Sequence, residues 1–273
     1  APDKREIYRV QSRISLWKNA MLDPEAAVAS ADDDLARHAA RVYRQYQDTL
    51  HAYQALDFDD LIRLPVELFA THREVLEKWQ NKIGYLLIDE YQDTNACQYA
   101  LVKQLVGIRG SLTVVGDDDQ AIYAWRGASA ENLAALQHDF ERLKVIKLEQ
   151  NYRSTVRILR AANSLIENNP KLFEKKLWSE LGHGDAISII EAQHDEHEAE
   201  STVMRLLAHK FEHRTCYEDY AILYRGNHQA RVFEQALRNE KIPYRVSGGT
   251  SFFERAEIRD IAAYLRLLIN PND

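Results

Sequence analysis

Three short runs of apolar and β-branched residues, each ending in a dense polar cluster, constrain this chain more than any other feature. "YLLI" (85–88) runs into "DEYQD", "LTVV" (112–115) into "GDDDQ", and "KVIKL" (144–148) into "EQNYRS". The helical stretches "ACQYALVKQLV" and "AENLAALQHDF" separate them. Strand alternating with helix is the signature of a parallel sheet covered by helices, so the expected fold class is α/β. In such sheets ligands bind beyond the carboxyl ends of the strands. Polar residues gathered at three consecutive strand ends therefore mark a site.

The flanking regions follow other patterns. Residues 4–80 read as helices, and no strand-like alternation precedes residue 83. Val42, Tyr43, Tyr46, Leu50, Tyr53 and Leu56 recur every three or four positions, as one buried helix face does. "ASADDD" (29–34) suits a turn followed by a helix cap. After about residue 156 the chain reads as helix to "LIENNP", then begins a second alternating set. "AISIIEA" (186–192), "DYAILYR" (219–225) and "PYRVSG" (243–248) are predicted strands. "EHEAESTVMRLLAHKF", "QARVFEQALRNE" and "RAEIRDIAAYLRLLI" are predicted helices. A domain boundary is expected near 150–156, and no repeats or low-complexity tracts are visible.

Composition narrows the partners. The 273 residues suffice for one large domain or two of ordinary size. A formal net charge of −7 gives no global electrostatic footprint for nucleic acid, so any such binding must rest on local basic and aromatic groups. No apolar run reaches the roughly 18 residues of a membrane span, and "APDKREIYRV" lacks a signal-peptide core. Cys97 and Cys216 stand far apart, which fits a reducing cytoplasm and excludes a disulfide scaffold. The chain begins with Ala, has its first Met at Met21 and stops at "NPND", and is expected to be an internal piece of a longer protein.

The polar clusters have a specific chemistry. A strand-terminal Asp such as Asp89 can hold Mg²⁺ beside the phosphates of a nucleotide, the Walker B arrangement. A carboxylate directly after it, Glu90, can orient and polarise an attacking water. Taken alone the pair reads equally well as helix-capping acids. "VVGDDDQAIYAWRGA" (114–128) adds Gly116 at a strand end and Gln120, a group able to report the state of a γ-phosphate. Tyr123 and Trp125, spaced two apart beside Arg126, suit base stacking and a phosphate contact; the bland alternative is two core aromatics. "KLEQNYRST" (147–155) supplies Tyr152, able to stack on a nucleobase, and Arg153, a candidate arginine finger or else a helix-start Arg paired to a surface carboxylate.

"IDEYQDTN", "VVGDDDQAIYAWRGA" and "LEQNYRS", in this order and spacing, resemble motifs II, III and IV of the superfamily 1 DNA helicases of the UvrD/Rep/PcrA group. "LDFDDLI" (56–62), "YAILYRGNHQAR" and "PYRVSGGTSFFERAEIRD" resemble further blocks, and "RGNHQAR" with "GGTSFF" points to the Rep branch. The resemblance covers essentially the whole chain and is most specific over 86–155. It implies parts of two RecA-like parallel-sheet domains preceded by a helical subdomain. Residues 1–80 would be the helical insert, 81–152 the later part of the first core domain and 153–273 the beginning of the second.

By the same resemblance Asp89 would hold Mg²⁺, Glu90 activate water and Gln120 sense the γ-phosphate of ATP. Tyr152 would pack on the adenine, and Arg153 would reach the γ-phosphate from the second motor domain. Tyr123 and Trp125 would touch single-stranded DNA, Arg126 would serve DNA or the catalytic carboxylate, and Arg225 and Asn227 would contact the DNA backbone. The implied protein is a 3′–5′ single-stranded DNA translocase and helicase, bacterial, cytoplasmic and nucleoid-associated. It would act on forked or partial-duplex DNA with replication or repair proteins, as monomer or homodimer, away from membranes. The alternatives are a non-catalytic binding module that keeps the fold, or the motor part of a helicase–nuclease. Retention of Asp89, Glu90, Gln120 and Arg153 together favours the motor.

No G-x-x-x-x-G-K-[ST] loop occurs in these residues, and the family's later motifs V and VI are absent too. Without that loop there is no backbone nest for the phosphates. The 273-residue chain alone is therefore expected to be inactive. Among lesser signals, His194 and His197 lie in a charge run that reads as the solvated start of a helix rather than a metal site. Asp59 and Asp60 are read as helix caps in preference to a family-specific contact. The glycines at 182–184 and 248–249 suit loops with positive φ.

Overall fold

A computed structural model of the chain describes residues 3–247 and 256–269. It forms two compact units, residues 1–185 and 186–273.

The first unit opens with helices α1 (Lys4–Asn19), α2 (Pro24–Ser30), α3 (Asp34–Ala52), α4 (Asp60–Thr71) and α5 (Arg73–Lys82). Asp33, in the predicted cap segment, accepts from the Ala36 amide at 2.6 Å and starts α3. α1–α3 enclose a core of Val10, Ile14, Trp17, Ala27, Ala39 and Tyr43. The Tyr43 ring stacks on Trp17 with centroids 6.3 Å apart. The apolar face of α3 is shorter than its periodicity predicts. Gln54 takes a left-handed φ of 51°, the chain turns there, and Tyr53 and Leu56 are exposed.

α4 begins on a buried ionic cluster. Lys18, wholly buried on α1, reaches Asp57 Oδ2 at 2.7 Å and Asp60 Oδ1 at 2.9 Å. The Arg63 guanidinium shares Asp60 and pairs with Glu67, and the Tyr46 hydroxyl donates to Asp57. The expected capping role falls on another residue. Asp59 makes no side-chain cap bond and Asp60 is consumed by Lys18 and Arg63, whereas Asp57 Oδ1 accepts from the Asp60 amide at 2.9 Å. A buried ammonium leaves Asp60 no freedom to serve the helix end.

β1 (Leu86–Ile88) and β2 (Leu112–Val114) lie parallel in register Leu86–Leu112, Leu87–Thr113 and Ile88–Val114. The crossover between them is α6 (Ala96–Val106), capped at Asn95 by a reciprocal pair with Gln98. α7 (Glu131–Asp139) follows β2, and its Leu133 and Leu136 bury against Tyr91 with Ile88, Leu112 and Val114. α8 (Val156–Ile166) follows the third polar cluster. The predicted strand at 144–148 joins no ladder among the described residues, and Ile146 and Leu148 are exposed. An apolar run supplies only the propensity; a strand needs a neighbour to satisfy its amides and carbonyls.

The second unit holds α9 (Asp195–His213), α10 (Ala230–Asn239) and α11 (Ala256–Ile269). α9 and α10 pack through Ala199, Val203, Phe233, Ala236 and Leu237. His194 starts α9, its ring accepting from the His197 amide at 3.1 Å. The segments predicted as strands at 186–192, 219–225 and 243–247 form no ladder, for the same reason as 144–148. Residues 248–249, with their predicted loop glycines, lie outside the described residues. Gly182 and Gly184 do take positive φ, 71° and 67°. No helix of the described residues is long and apolar enough to cross a membrane.

The Lys18 cluster makes two predictions. Replacing Lys18 with Met leaves Asp57 without a cation and Asp60 with Arg63 alone, and should cost about 3–5 kcal/mol in urea unfolding. Burial opposes the charge on Asp57, but hydrogen bonds from Lys18, the Asp60 amide and Tyr46 outweigh it and lower its pKa. A lowered carboxylate stabilises fully above its unfolded pKa of about 3.9, and that stability is lost as pH falls through the folded value. Lys18→Met should therefore also raise the pH of acid unfolding.

Candidate functional site

The ladder hydrogen bonds of the sheet continue past both strands and tie their exit loops together. The Val115 amide donates to Ile88 O at 2.8 Å, and the Tyr91 amide donates to Val115 O at 2.9 Å. Between these bonds the chain makes a tight bend at Asp89 and Glu90. Glu90 sits in the left-handed region (φ 50°, ψ 44°), and its amide donates to Asp89 Oδ1 at 2.9 Å. A non-glycine residue there carries strain of about 1–3 kcal/mol, a cost found where a side chain must be aimed. Both carboxylates are exposed at the mouth of the sheet.

Gln92 is the bridge beneath them. It is almost fully buried; its amide nitrogen donates to Glu90 Oε2 at 2.8 Å, and its oxygen accepts from the Asp117 amide at 2.9 Å. Gly116 makes room for it, since a Cβ there would meet Gln92 Oε1 at 3.0 Å and the Gln92 backbone nitrogen at 3.4 Å. Asp117 Oδ2 then accepts from Gln120 Nε2 at 2.6 Å. Glu90, Gln92, Asp117 and Gln120 thus form one hydrogen-bonded chain spanning the exits of β1 and β2. Asp93, just beyond, has its pKa raised by desolvation and then by the charge of Glu90.

The aromatic group stands on the continuation of the second loop. Tyr123 and Trp125 have ring centroids 6.3 Å apart and tilted by 44°. The Arg126 guanidinium lies over both, 4.6 Å from the Trp125 centroid and 5.4 Å from that of Tyr123. Trp125 remains 59% exposed, and Tyr123 is half-buried. No carboxylate of the described residues comes within ion-pair distance of Arg126. The loops after β1 and β2 are joined again at Thr94, whose carbonyl accepts from the Ser129 amide and from Asn132 Nδ2. Asn95 Nδ2 donates to Asn19 Oδ1 at 2.8 Å and carries the connection into α1.

Tyr152 and Arg153 occupy a turn closed by Asn151, whose Oδ1 accepts from the amides of Arg153 and Ser154. Both side chains are exposed; the Tyr152 hydroxyl donates to Gln150, and Arg153 makes no ion pair among the described residues. Arg225 and Asn227 belong to the second unit, exposed at the entry to α10, where the Arg225 amide donates to Gln229 Oε1.

The sequence motifs contained two further contributors that their residue types did not announce. Gln92 and Asp117 lie inside the quoted clusters, yet an amide and an acid among several acids give no local sign of pairing. A third, Lys175, lies far downstream and places its ammonium among Asp117, Asp118 and Asp119. Those three acids are otherwise grouped closely enough to hold a cation.

Asp89 has only Oδ1 engaged, leaving a second hard oxygen facing solvent, a donor suited to Mg²⁺. Two carboxylates and a primary amide stand at the carboxyl edge of a parallel strand pair, with two tilted aromatic rings on the continuing loop, an arrangement of RecA-like type. The chain belongs to the UvrD/REP helicase family: residues 2–141 match its N-terminal domain and residues 146–273 the UvrD-like helicase C-terminal domain. It is 58% identical over 271 residues to the ATP-dependent DNA helicase Rep of Escherichia coli K12, covering 99% of this chain and 40% of that protein. It is 47% identical over 267 residues to Rep of Buchnera aphidicola from Acyrthosiphon pisum, covering 98% of this chain and 41% of that protein. To the ATP-dependent DNA helicase PcrA of Staphylococcus epidermidis it is 45% identical over 260 residues, covering 95% and 36%. The chain thus spans well under half the length of these relatives.

Gln92→Met keeps the volume and removes both hydrogen bonds. It should destabilise the chain by about 1–3 kcal/mol, the cost of leaving the Asp117 amide unpaired, when measured by chemical denaturation. A value near zero would mean that the two loops are held together without it.

Proposed function

We propose that the protein containing this chain is an ATP-dependent DNA helicase that moves 3′ to 5′ along single-stranded DNA. The observation that carries the proposal is the hydrogen-bonded chain from Glu90 through Gln92 and Asp117 to Gln120, found in a member of the UvrD/REP family. It links the group suited to activating water with the group suited to sensing a γ-phosphate, so that cleavage at one is felt at the other. Asp89 would hold Mg²⁺, which when bound neutralises phosphate charge. Tyr152 packs on the adenine, and Arg153 supplies the guanidinium that draws two RecA-like domains together around ATP. Loss of the γ-phosphate removes that anchor.

Tyr123 and Trp125 form the stacking platform for bases, at about 1–3 kcal/mol per base, enough to grip and still release. Arg126, Arg225 and Asn227 contact the DNA backbone. Residues 1–80, 81–152 and 153–273 serve as helical insert, later part of the first core domain and beginning of the second. The substrates are single-stranded and forked or partial-duplex DNA in bacterial replication or repair. The setting is the nucleoid-associated cytoplasm, and the enzyme works as monomer or homodimer. The phosphate-binding loop must come from outside these residues, so the 273-residue chain alone should show no ATP turnover.

In the longer protein, Glu90→Gln should retain ATP binding and lower turnover by about 10²–10⁴-fold. Unimpaired turnover removes Glu90 as the base. Trp125→Ala should weaken DNA-stimulated hydrolysis more than basal hydrolysis, and equal loss of both would make the indole a packing residue.

A further inference from the structure

Lys175 has no part in the motifs, yet it is the most heavily engaged cation near the site. Its ammonium carries three donors, and three carboxylates meet it: Asp117 Oδ1 at 2.5 Å, Asp118 Oδ1, and Asp119 Oδ2 at 3.2 Å. The position that a metal ion would take among these acids is filled by the protein's own charge. Asp117 is shared, because its other oxygen accepts from Gln120 Nε2. Removing the ammonium would leave three like charges in contact, and Asp117 Oδ1 would keep only the Asp119 amide, at 3.2 Å, as a partner.

The segment carrying Lys175 is fastened at both ends. Asp118 Oδ2 accepts from the amides of Leu172 and Phe173 at 3.1 and 3.3 Å. At the other end Trp178 pairs in parallel with Gln150: the Trp178 amide donates to Glu149 O at 3.0 Å, and the Asn151 amide to Trp178 O at 2.7 Å. Asn151 is the residue that closes the turn bearing Arg153. Residues 172–178 therefore form a strap from the Gln120 loop to the Arg153 turn. Its two attachments fall in the segments matched by the N-terminal and C-terminal helicase domains.

We propose that Lys175 is a positioning residue that pins this strap to Asp117–Asp119 and, through Asp117, holds the Gln120 amide in register with the Arg153 turn. The proposal deepens the helicase reading and rests on it for the link to hydrolysis. Burial opposes the charge on Lys175, but its hydrogen bonds to Asp117 and Asp118 outweigh this and raise its pKa, so the pin stays charged through neutral pH. A displacement of either family segment against the other would be transmitted to Gln120 as loss of an ion pair.

Two measurements test this, one independent of activity. In the 273-residue chain, the Gln120 side-chain amide signals, assigned by their loss in Gln120→Ala, should move to the free-glutamine position in Lys175→Met. Lys175→Arg should restore them, and unchanged signals in Lys175→Met overturn the proposal. In the longer protein, Lys175→Met should lower kcat for ATP hydrolysis about tenfold, as a displaced positioning group does, with KM for ATP nearly unchanged and recovery in Lys175→Arg. Normal kcat in Lys175→Met, or a loss that Lys175→Arg does not recover and that follows the melting temperature, overturns the role in hydrolysis. A wild-type protein without DNA-stimulated turnover would refute the helicase reading instead, and the amide signals would still decide whether Lys175 orients Gln120.

Discussion

The site depends on one buried primary amide. A parallel pair of strands fixes where its two exit loops begin, but nothing in a sheet fixes where those loops go next. Gln92 does so by donating to Glu90 and accepting from the Asp117 backbone. A side chain at residue 116 would press on its amide oxygen. The left-handed turn at Glu90 is held in the same way, from one side by Asp89 and from the other by Gln92. Strained backbone persists where surrounding contacts over-determine it, and here two hydrogen bonds and a ladder bond do so.

Polar contacts join the helical region to this arrangement. Asn19, next to the buried Lys18, donates to Asp59 and accepts from Asn95, the cap of the crossover helix. The ionic cluster of Lys18, Asp57, Asp60 and Arg63 therefore sits one residue from the contact that reaches the exit of β1. A buried ion pair adds little stability over an apolar substitute. Its value is directional, because an ammonium with two carboxylate partners has one position where an aliphatic chain would have several.

Helices were legible where a single residue could start or stop them. The "ASADDD" segment announces the cap at Asp33, and the predicted helices α6, α7, α9 and α10 fall within a residue or two of their observed bounds. The face of α3 was overextended because apolar period continues past Ala52 while the backbone turns at Gln54. Strands were legible only in pairs. Leu86–Ile88 and Leu112–Val114 found each other through α6, but the apolar runs at 144–148, 186–192 and 219–225 form no ladder among the described residues. The motif acids could be picked from local sequence. Lys175 could not, since it lies 57 residues beyond Asp118 and chemistry at that distance is visible only after folding.

On the proposed function, a chain of net −7 must carry a local surface for a polyanion. Lys175 offsets part of the charge of Asp117–Asp119, and Arg126 is unpaired with any described carboxylate. Its guanidinium rests instead on the Trp125 and Tyr123 rings. Such a contact is worth about 0.5–1 kcal/mol at an exposed site, less than a base stacked on the same ring. A base and a guanidinium cannot occupy one face of an indole together. On the proposed function, nucleic acid either takes the open face of Trp125 and keeps Arg126 as a backing cation, or displaces Arg126 toward its own phosphate. Both courses bring the positive charge to the strand, and they do so without a basic patch that composition could reveal.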